Sequence, residues 1–239
     1  MDAARRQQLL AFLSGLGLEP PTPLSDPQLA PLEEALTHTS AGRPYNHEQL
    51  EFLGDAVLRL AASEFLERHQ PQLSVGERSA LRAQLVSDRW LAELGERCGI
   101  ETVLRIGAVA AGDQIGRARL RAEACEAVIG ALYRLWGDLT PVEQWLTPHW
   151  QRSLAELNAD PHRYNWKSAL QEWSQGEQRG LPSYQCKEVS QRHGDPRRFH
   201  SRVLLGAAQL GEGWGGSRRQ ADQEAARAAL AAIKPARGS

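Results

Sequence analysis

The stretch His47-Glu48-Gln49-Leu50-Glu51-Phe52-Leu53-Gly54-Asp55-Ala56-Val57-Leu58 decides the fold of the first part of this chain. Glu48, Glu51 and Asp55 are spaced i, i+3 and i+7, so a helix of about 3.6 residues per turn places them along one stripe. The apolar residues that would face a core lie on roughly the opposite side: Leu50, Leu53, Val57 and Leu60. The stretch therefore predicts a helix with one core face and one face of concentrated negative charge.

The acidic stripe has two explanations that the spacing leaves open. Mg2+ is usually held by a few carboxylates together with water and substrate phosphates, so the stripe is a candidate metal site. Arg59 lies one turn beyond Asp55 and could instead pair with it on an ordinary solvated face. Gly54 adds a separate signal, because a glycine within a helix costs about 1 kcal/mol relative to Ala and indicates close approach by another backbone. That other backbone can belong to the same chain or to a second copy.

A second pair of carboxylates, Glu123 and Glu126, lies at i and i+3 in residues 121–133. The apolar residues of this segment also recur at helical spacing and can face a core. If the two helices pack side by side, their five carboxylates converge on one cluster.

These two segments resemble the signature of the ribonuclease III family, whose first helix reads Glu-x-Leu-Glu-Phe-Leu-Gly-Asp and whose later helix reads Glu-Ala-(Val/Ile/Leu)-Ile-Gly-Ala. Residues 48–55 match the first motif nearly completely, and Leu36-Thr37-His38-Thr39-Ser40 is similar to the family's Leu-Thr-His-x-Ser segment. The resemblance implies an all-α endonuclease domain that uses Mg2+, with Mn2+ as a substitute. It also implies cleavage of double-stranded RNA to 5′-phosphate and 3′-hydroxyl ends with short 3′ overhangs, in rRNA or mRNA processing.

The resemblance assigns roles to the five carboxylates by position. Glu51, Asp55, Glu123 and Glu126 match the metal-binding residues, Asp55 and Glu126 are also candidate catalytic residues, and Glu48 is an acidic residue near the same site. Glu123 stands where the family usually has Asp. The extra methylene moves the carboxylate by about one C–C bond, so we expect an altered rate or metal preference.

A second departure lies in residues 106–116, which keep their glycines but lack the acidic residue of the family's Gly-x-Gly-Glu segment. The retained carboxylates favour an enzyme. The two departures leave one alternative open, a non-catalytic double-stranded-RNA-binding protein on the same fold.

The resemblance also implies a homodimer, because one site cuts one strand and cleavage of both strands needs two sites. Phe52 and Gly54 on the signature helix are the candidate dimer contacts. The alternative for Phe52 is an ordinary core position.

Charge divides the chain into two modules. The formal net charge is −1 overall. Residues 1–160 hold 15 Lys and Arg against 22 Asp and Glu, whereas residues 161–239 hold 13 against 7. With the turn formers near residue 160, this predicts a catalytic domain at 1–157, a linker at 158–163 and a second domain at 164–239.

The second domain has the pattern of an α+β fold in the order α-β-β-β-α. That order and the motifs Leu181-Pro182-Ser183-Tyr184 and Gly216-Ser217-Arg218-Arg219-Gln220-Ala221 resemble the double-stranded-RNA-binding domain. A helix N-terminus with adjacent arginines can hold phosphate, and duplex RNA is recognised through shape, 2′-hydroxyls and phosphates. The resemblance and this chemistry give the candidate RNA-binding residues: Gln171, Glu172, Gln175, Arg197, Arg198, Ser217, Arg218 and Arg219.

Two departures weaken the expected RNA binding. Gln220 stands where the family usually has Lys, and the segment before Phe199 lacks the usual His. We expect weaker binding per domain, with Arg197 and Arg198 as compensating contacts. A solvated basic surface is the alternative.

Composition bears on the remaining classes of function. No apolar run approaches the roughly 18 residues of a membrane span, so we expect no membrane partner. Three widely spaced cysteines have no metal-type spacing and favour reduced thiols, which indicates a cytoplasmic protein. No motif indicates an organic cofactor.

Overall fold

The computed structural model describes residues 1–19, 23–108, 116–159, 166–192 and 194–233. Contacts divide the chain into two compact units, Met1–Leu154 and Ala155–Ser239. The domain boundaries expected from the sequence remain a prediction, because most of the expected linker lies outside the described residues. So does most of the segment 106–116. Among the described residues, every helix is too short or too polar to cross a membrane.

The first unit is helical in the described ranges, as the sequence predicted. Short 3-10 turns lie at Thr39–Ala41 and Ile100–Thr102. The last helix of this unit extends past the division between the units. The helices are α1 (Ala3–Gly15), α2 (Asp26–Ala35), α3 (Glu48–His69), α4 (Val75–Leu85), α5 (Asp88–Arg97), α6 (Arg117–Trp136) and α7 (Thr140–Ala159).

The core of the first unit is formed by the apolar faces of these helices. Leu50 and Val57 of α3 are buried, as their spacing predicted, and Leu53 is partly buried. Leu60 is 51% exposed, so its expected place in the core was wrong. At 100° per residue, Leu60 lies about 80° to one side of Leu50, whereas the buried residues Leu58 and Ala61 lie about 80° and 20° to the other side. The buried face of α3 is therefore turned away from Leu60.

The second unit has the order α8 (Trp166–Gly176), β1 (Ser183–Glu188), β2 (Phe199–Leu205), β3 (Ala208–Gly215) and α9 (Arg218–Ile233). The strands form one antiparallel sheet in the order β1-β2-β3. Burial alternates in the middle of β2, where Ser201 and Val203 are fully buried and Arg202 between them is exposed. Ser201 Oγ donates to Asp222 Oδ1 (2.6 Å), so the buried hydroxyl is satisfied. The predicted α+β fold is confirmed.

Candidate active site

Two glycines bring α3 and α6 into direct backbone contact. A Cβ added at Gly54 would lie 1.8 Å from the carbonyl oxygen of Glu126, and one added at Gly130 would lie 2.2 Å from the carbonyl oxygen of Leu50. Any side chain at either position would force the helices apart. The close approach predicted from Gly54 is confirmed. It occurs within one chain, between α3 and α6, and the contact between copies that we expected for Gly54 stays a prediction.

The crossing brings the acidic residues of both helices to one open pocket with a volume of about 700 Å³. The five carboxylates expected from the sequence all line it: Glu48, Glu51, Asp55, Glu123 and Glu126. Phe52 lies at the same pocket and its side chain is 85% exposed, so its alternative as an ordinary core residue was wrong.

Two of these carboxylates form ion pairs with arginines on their own helices. Arg59 Nε lies 2.9 Å from both Oδ1 and Oδ2 of Asp55, and its Nη2 lies 2.9 Å from Oδ1. Arg119 Nε lies 2.5 Å from Glu123 Oε1. The pairing of Arg59 with Asp55 was one of the two explanations of the acidic stripe. The structure shows that this pair exists beside a convergent carboxylate cluster.

The carboxylates of the pocket perturb one another. Burial, and then the nearby charges of Asp55 and Glu51, raise the pKa of Glu126 to about 7. Burial and Glu123 also raise the pKa of Glu51 above its ordinary value. Neighbouring carboxylates repel each other, which disfavours their ionised form. A bound divalent cation would offset this repulsion and stabilise the ionised carboxylates. Oxygen ligands in this arrangement fit a hard divalent metal.

Two histidines complete the pocket, and sequence reasoning gave neither a role. The backbone of Arg105 forms hydrogen bonds with both neighbours of Thr37. Its N–H donates to Leu36 O, and its carbonyl oxygen accepts from His38 N, both at 2.9 Å. His47 N donates to Thr37 O (3.0 Å). These bonds place the two rings in a stack with centroids 4.9 Å apart. The i, i+4 spacing of His47 and Glu51 was the signal that could have found His47.

Hydrogen bonds fix the proton of His38 on the nitrogen that faces the pocket. The Ser40 backbone N–H donates to Nδ1 (3.1 Å), and Ser40 Oγ lies 2.7 Å from the same nitrogen. The Gly107 N–H donates to that hydroxyl oxygen (2.9 Å), which leaves the hydroxyl hydrogen to point at Nδ1. Burial and the neighbouring His47 lower the pKa of His38, so the ring is neutral at pH 7 and Nε2 carries its hydrogen.

The histidine nitrogens face carboxylates. His47 Nε2 lies 3.2 Å from Glu51 Oε2, and both His38 Nε2 and His47 Nε2 lie 3.9 Å from Glu123 Oε2. Ligand atoms of His38, His47 and Glu123 lie within 4.8 Å of one another, a spacing that a metal ion can bridge. His47 Nε2 therefore contacts Glu51, whereas the two imidazoles at 3.9 Å are too far from Glu123 for a hydrogen bond and act on it through space. We interpret the two histidines as groups that position Glu51 and Glu123.

The candidate RNA-binding residues of the second unit lie at its surface. Gln171, Glu172 and Gln175 are exposed on α8, and Arg218 and Arg219 are exposed in the first turn of α9. The Gln220 N–H donates to Ser217 Oγ (3.2 Å), so Ser217 caps α9.

The two arginines before β2 differ in their surroundings. The Arg197 guanidinium lies over the ring of Trp214 (4.8 Å), which stacks on His200. Arg198 pairs with Glu188 at 2.9 Å and is half-buried. Of the two, Arg197 retains the more accessible charge.

Comparison with known proteins places both units. Residues 28–140 match the ribonuclease-III-like family and residues 166–233 match the double-stranded RNA binding motif. Ribonuclease 3 of Prochlorococcus marinus is 53% identical over 199 residues, which are 83% of this chain and 80% of the relative. Ribonuclease 3 2 of Synechocystis sp. is 45% identical over 225 residues, 94% of this chain and 91% of the relative.

A solved structure supports the same assignment for the first unit. The nuclease domain of ribonuclease III from Campylobacter jejuni is 28% identical, covers 58% of this chain and 92% of its own, and superposes with a TM-score of 0.50. With both matches in the order that the sequence predicted, this chain belongs to the ribonuclease III family, the endoribonucleases of double-stranded RNA.

Proposed function

We propose that this chain is a divalent-metal-dependent endoribonuclease that cleaves both strands of duplex RNA as a homodimer. Its products carry 5′-phosphate and 3′-hydroxyl ends with short 3′ overhangs, and its role is the processing of rRNA or mRNA in the cytoplasm. The observation that carries the proposal is the convergence of five carboxylates from α3 and α6 on one open pocket.

The residues of the pocket fit Mg2+, with Mn2+ as a substitute. Glu51, Asp55, Glu123 and Glu126 supply hard oxygen ligands, and the raised pKa of Glu126 reflects negative charge that a cation would relieve. A bound divalent ion would supply an activated water and stabilisation of the charge that develops on the leaving oxygen. Glu123 reaches further than Asp would, so we expect its contribution to alter the metal preference.

The chain's own residues orient this site. Glu51 Oε2 lies 3.2 Å from His47 Nε2, and Glu123 lies beside both imidazoles and Arg119. These contacts restrict the rotamers of the two carboxylates, and fixed ligands bind a metal with less loss of conformational entropy. Asp55 and Glu126 are the candidate catalytic residues, and Glu48 is an exposed acidic residue at the rim. No carboxylate has to act as a general base.

The second unit supplies the contacts for duplex RNA. The N-terminus of α9 offers free N–H groups and the positive end of the helix dipole, and Arg218 and Arg219 add cationic donors there. Exposed polar residues of α8 suit the minor groove, where 2′-hydroxyls are displayed. Arg197 adds a third positive charge, over the ring of Trp214. These contacts hold the RNA backbone and carry little sequence information.

Phe52 supports the homodimer. Its 85% exposed ring lies in the signature helix at the rim of the pocket, where burial against a second copy would remove a large apolar surface from water. The solved domain from Campylobacter jejuni is itself described as having a region involved in dimer formation. Paired sites would let one assembly cut both strands.

The proposal is tested by incubating labelled duplex RNA with the purified chain in Mg2+, beside a Glu126→Gln variant. We expect staggered cuts with 5′-phosphate ends from the unaltered chain, and a loss of at least about 10²-fold in the variant, because a metal ion supplies several kcal/mol of charge stabilisation. RNA that stays intact in both Mg2+ and Mn2+ but shifts on a native gel would instead identify a binding protein without cleavage.

A further inference from the structure

Two arginines occupy carboxylates that the proposed metal site requires. Arg59 holds both oxygens of Asp55 at 2.9 Å, and Arg119 holds Oε1 of Glu123 at 2.5 Å. Each arginine lies four residues from its carboxylate on the same helix. A guanidinium directed at these oxygens competes with a metal ion for their lone pairs and their negative charge, so we expect these ion pairs to weaken or open when the site is filled.

The geometry makes opening easy. The side chain of Arg59 is 57% exposed and that of Arg119 is 85% exposed. Ion pairs with an exposed arginine contribute little stability, because water screens them and long side chains lose entropy when fixed. Either guanidinium can leave by rotating its side chain, without movement of the helix.

A displaced guanidinium stays at the pocket rim, because its Cα is fixed in the helix. Arg119 itself lines the pocket, and Arg59 extends from the helix that carries Glu51 and Asp55. A planar guanidinium matches phosphate with two parallel hydrogen bonds. The scissile region of RNA presents phosphates to this rim if the pocket cuts RNA.

We propose that Arg59 and Arg119 are exchangeable counter-cations: they neutralise Asp55 and Glu123 in the metal-free chain and, when a divalent metal takes these carboxylates, they bind RNA phosphates beside the site. The part that concerns RNA phosphates, its RNA half, rests on the proposed function. The part that concerns metal binding, its metal half, depends only on the ion pairs.

The metal half is tested by measuring Mn2+ binding without RNA, using calorimetry on the full chain and on the variants Arg59→Gln and Arg119→Gln. Loss of a competing cation should lower the Mn2+ dissociation constant by about twofold to fivefold in each variant. The matched control is Arg227→Gln, an arginine that is also 57% exposed and ion-paired on a helix, but in the second unit. Unchanged or weaker Mn2+ binding in both pocket variants would overturn the inference.

The RNA half is tested by steady-state cleavage at saturating Mn2+. In the Gln variants, loss of a phosphate contact should raise KM by roughly threefold to tenfold with little change in kcat. Arg119→Lys should raise KM less, because Lys keeps the positive charge although it lacks the paired N–H donors of a guanidinium. If the arginines had only a structural role, their substitution would not strengthen Mn2+ binding while it weakens RNA binding. An unchanged KM in both Gln variants would overturn the phosphate contact.

The two experiments separate this inference from the proposed function. Mn2+ binding requires no cleavage, so it decides the counter-cation role even if the chain proves to be a binding protein. Thermal unfolding of each variant, measured beside the unaltered chain, shows that the fold is intact.

Discussion

The acidic pocket of the first unit and the exposed basic residues of the second are built by opposite means. The pocket depends on two helices whose backbones touch at Gly54 and Gly130. The RNA-binding candidates lie separately on α8, before β2 and at the start of α9. A packed site should therefore fail as a unit, whereas a surface of separate charges should weaken in steps.

The largest effect is expected where the helices cross. Gly54→Ala places a methyl group 1.8 Å from a backbone oxygen that cannot move aside without shifting α6. We expect destabilisation of about 3 kcal/mol or more and loss of cleavage, since the four candidate ligands no longer converge. Thermal unfolding and duplex-RNA cleavage measure the two effects.

Gly76→Ala is the matched control for that substitution. Gly76 also lies within a helix, but a Cβ added there meets nothing within 4 Å. We expect it to stabilise the chain by roughly 0.5–1 kcal/mol, because Ala has the higher helix propensity. If Gly54→Ala were as harmless as this control, the crossing would not be what holds the pocket together.

A pH series without metal should show the strain of the packed carboxylates. The folded chain holds the proton of Glu126 with a pKa of about 7, above the ordinary value of 4.5. Its stabilising contribution is therefore complete below about pH 4.5 and is lost as the pH rises through about 7. We expect the unfolding free energy to fall by on the order of 1–2 kcal/mol between pH 5.5 and 8, a figure reduced for partial exposure.

Glu126→Gln identifies the source of that pH dependence. The variant lacks the titrating group, so its unfolding temperature in a chelator should change less between pH 5.5 and 8 than that of the unaltered chain. Mg2+ should raise the unfolding temperature of the unaltered chain most at pH 8, where the carboxylates are ionised. An equal pH dependence in both chains would assign it to other groups.

The smallest effect is expected at the RNA-binding surface. Arg218→Gln removes one exposed charge from the first turn of α9, where its guanidinium lies 5.7 Å from the centre of the Phe199 ring. We expect weaker duplex binding on a native gel or by fluorescence, and a salt dependence reduced by about one in the slope of log K against log salt. Cleavage at saturating RNA should hardly change. A loss as complete as that of Gly54→Ala would contradict the contrast between the two units.

Much of the site could be predicted from spacing. The intervals between Glu48, Glu51 and Asp55, and between Glu123 and Glu126, were enough to expect one acidic cluster, and all five carboxylates line one pocket. Gly54 correctly indicated a close approach but left its partner open. The partner is Glu126, 72 positions later in the chain, and propensity carries no information about a contact at that separation.

The two histidines and Arg119 escaped prediction for a different reason. His47 and Arg119 each lie four residues from a carboxylate, an interval that also occurs on ordinary solvated helices. Only the backbone bonds around Thr37 and the exposure of each side chain distinguish a site residue from a surface residue. Leu60 shows the converse, since an apolar residue at helical spacing lies at the surface.

The sequence by itself determined which residues carry charge, which face of each helix is apolar, and the order of an acidic helical unit and a basic α+β unit, because these follow from periodicity and composition. The tertiary structure decided that α3 meets α6 at two glycines, that Glu126 keeps its proton to about pH 7, and that two histidines face Glu123. Each of these depends on distances between residues far apart in the chain, and both desolvation and Coulomb energy are set by such distances.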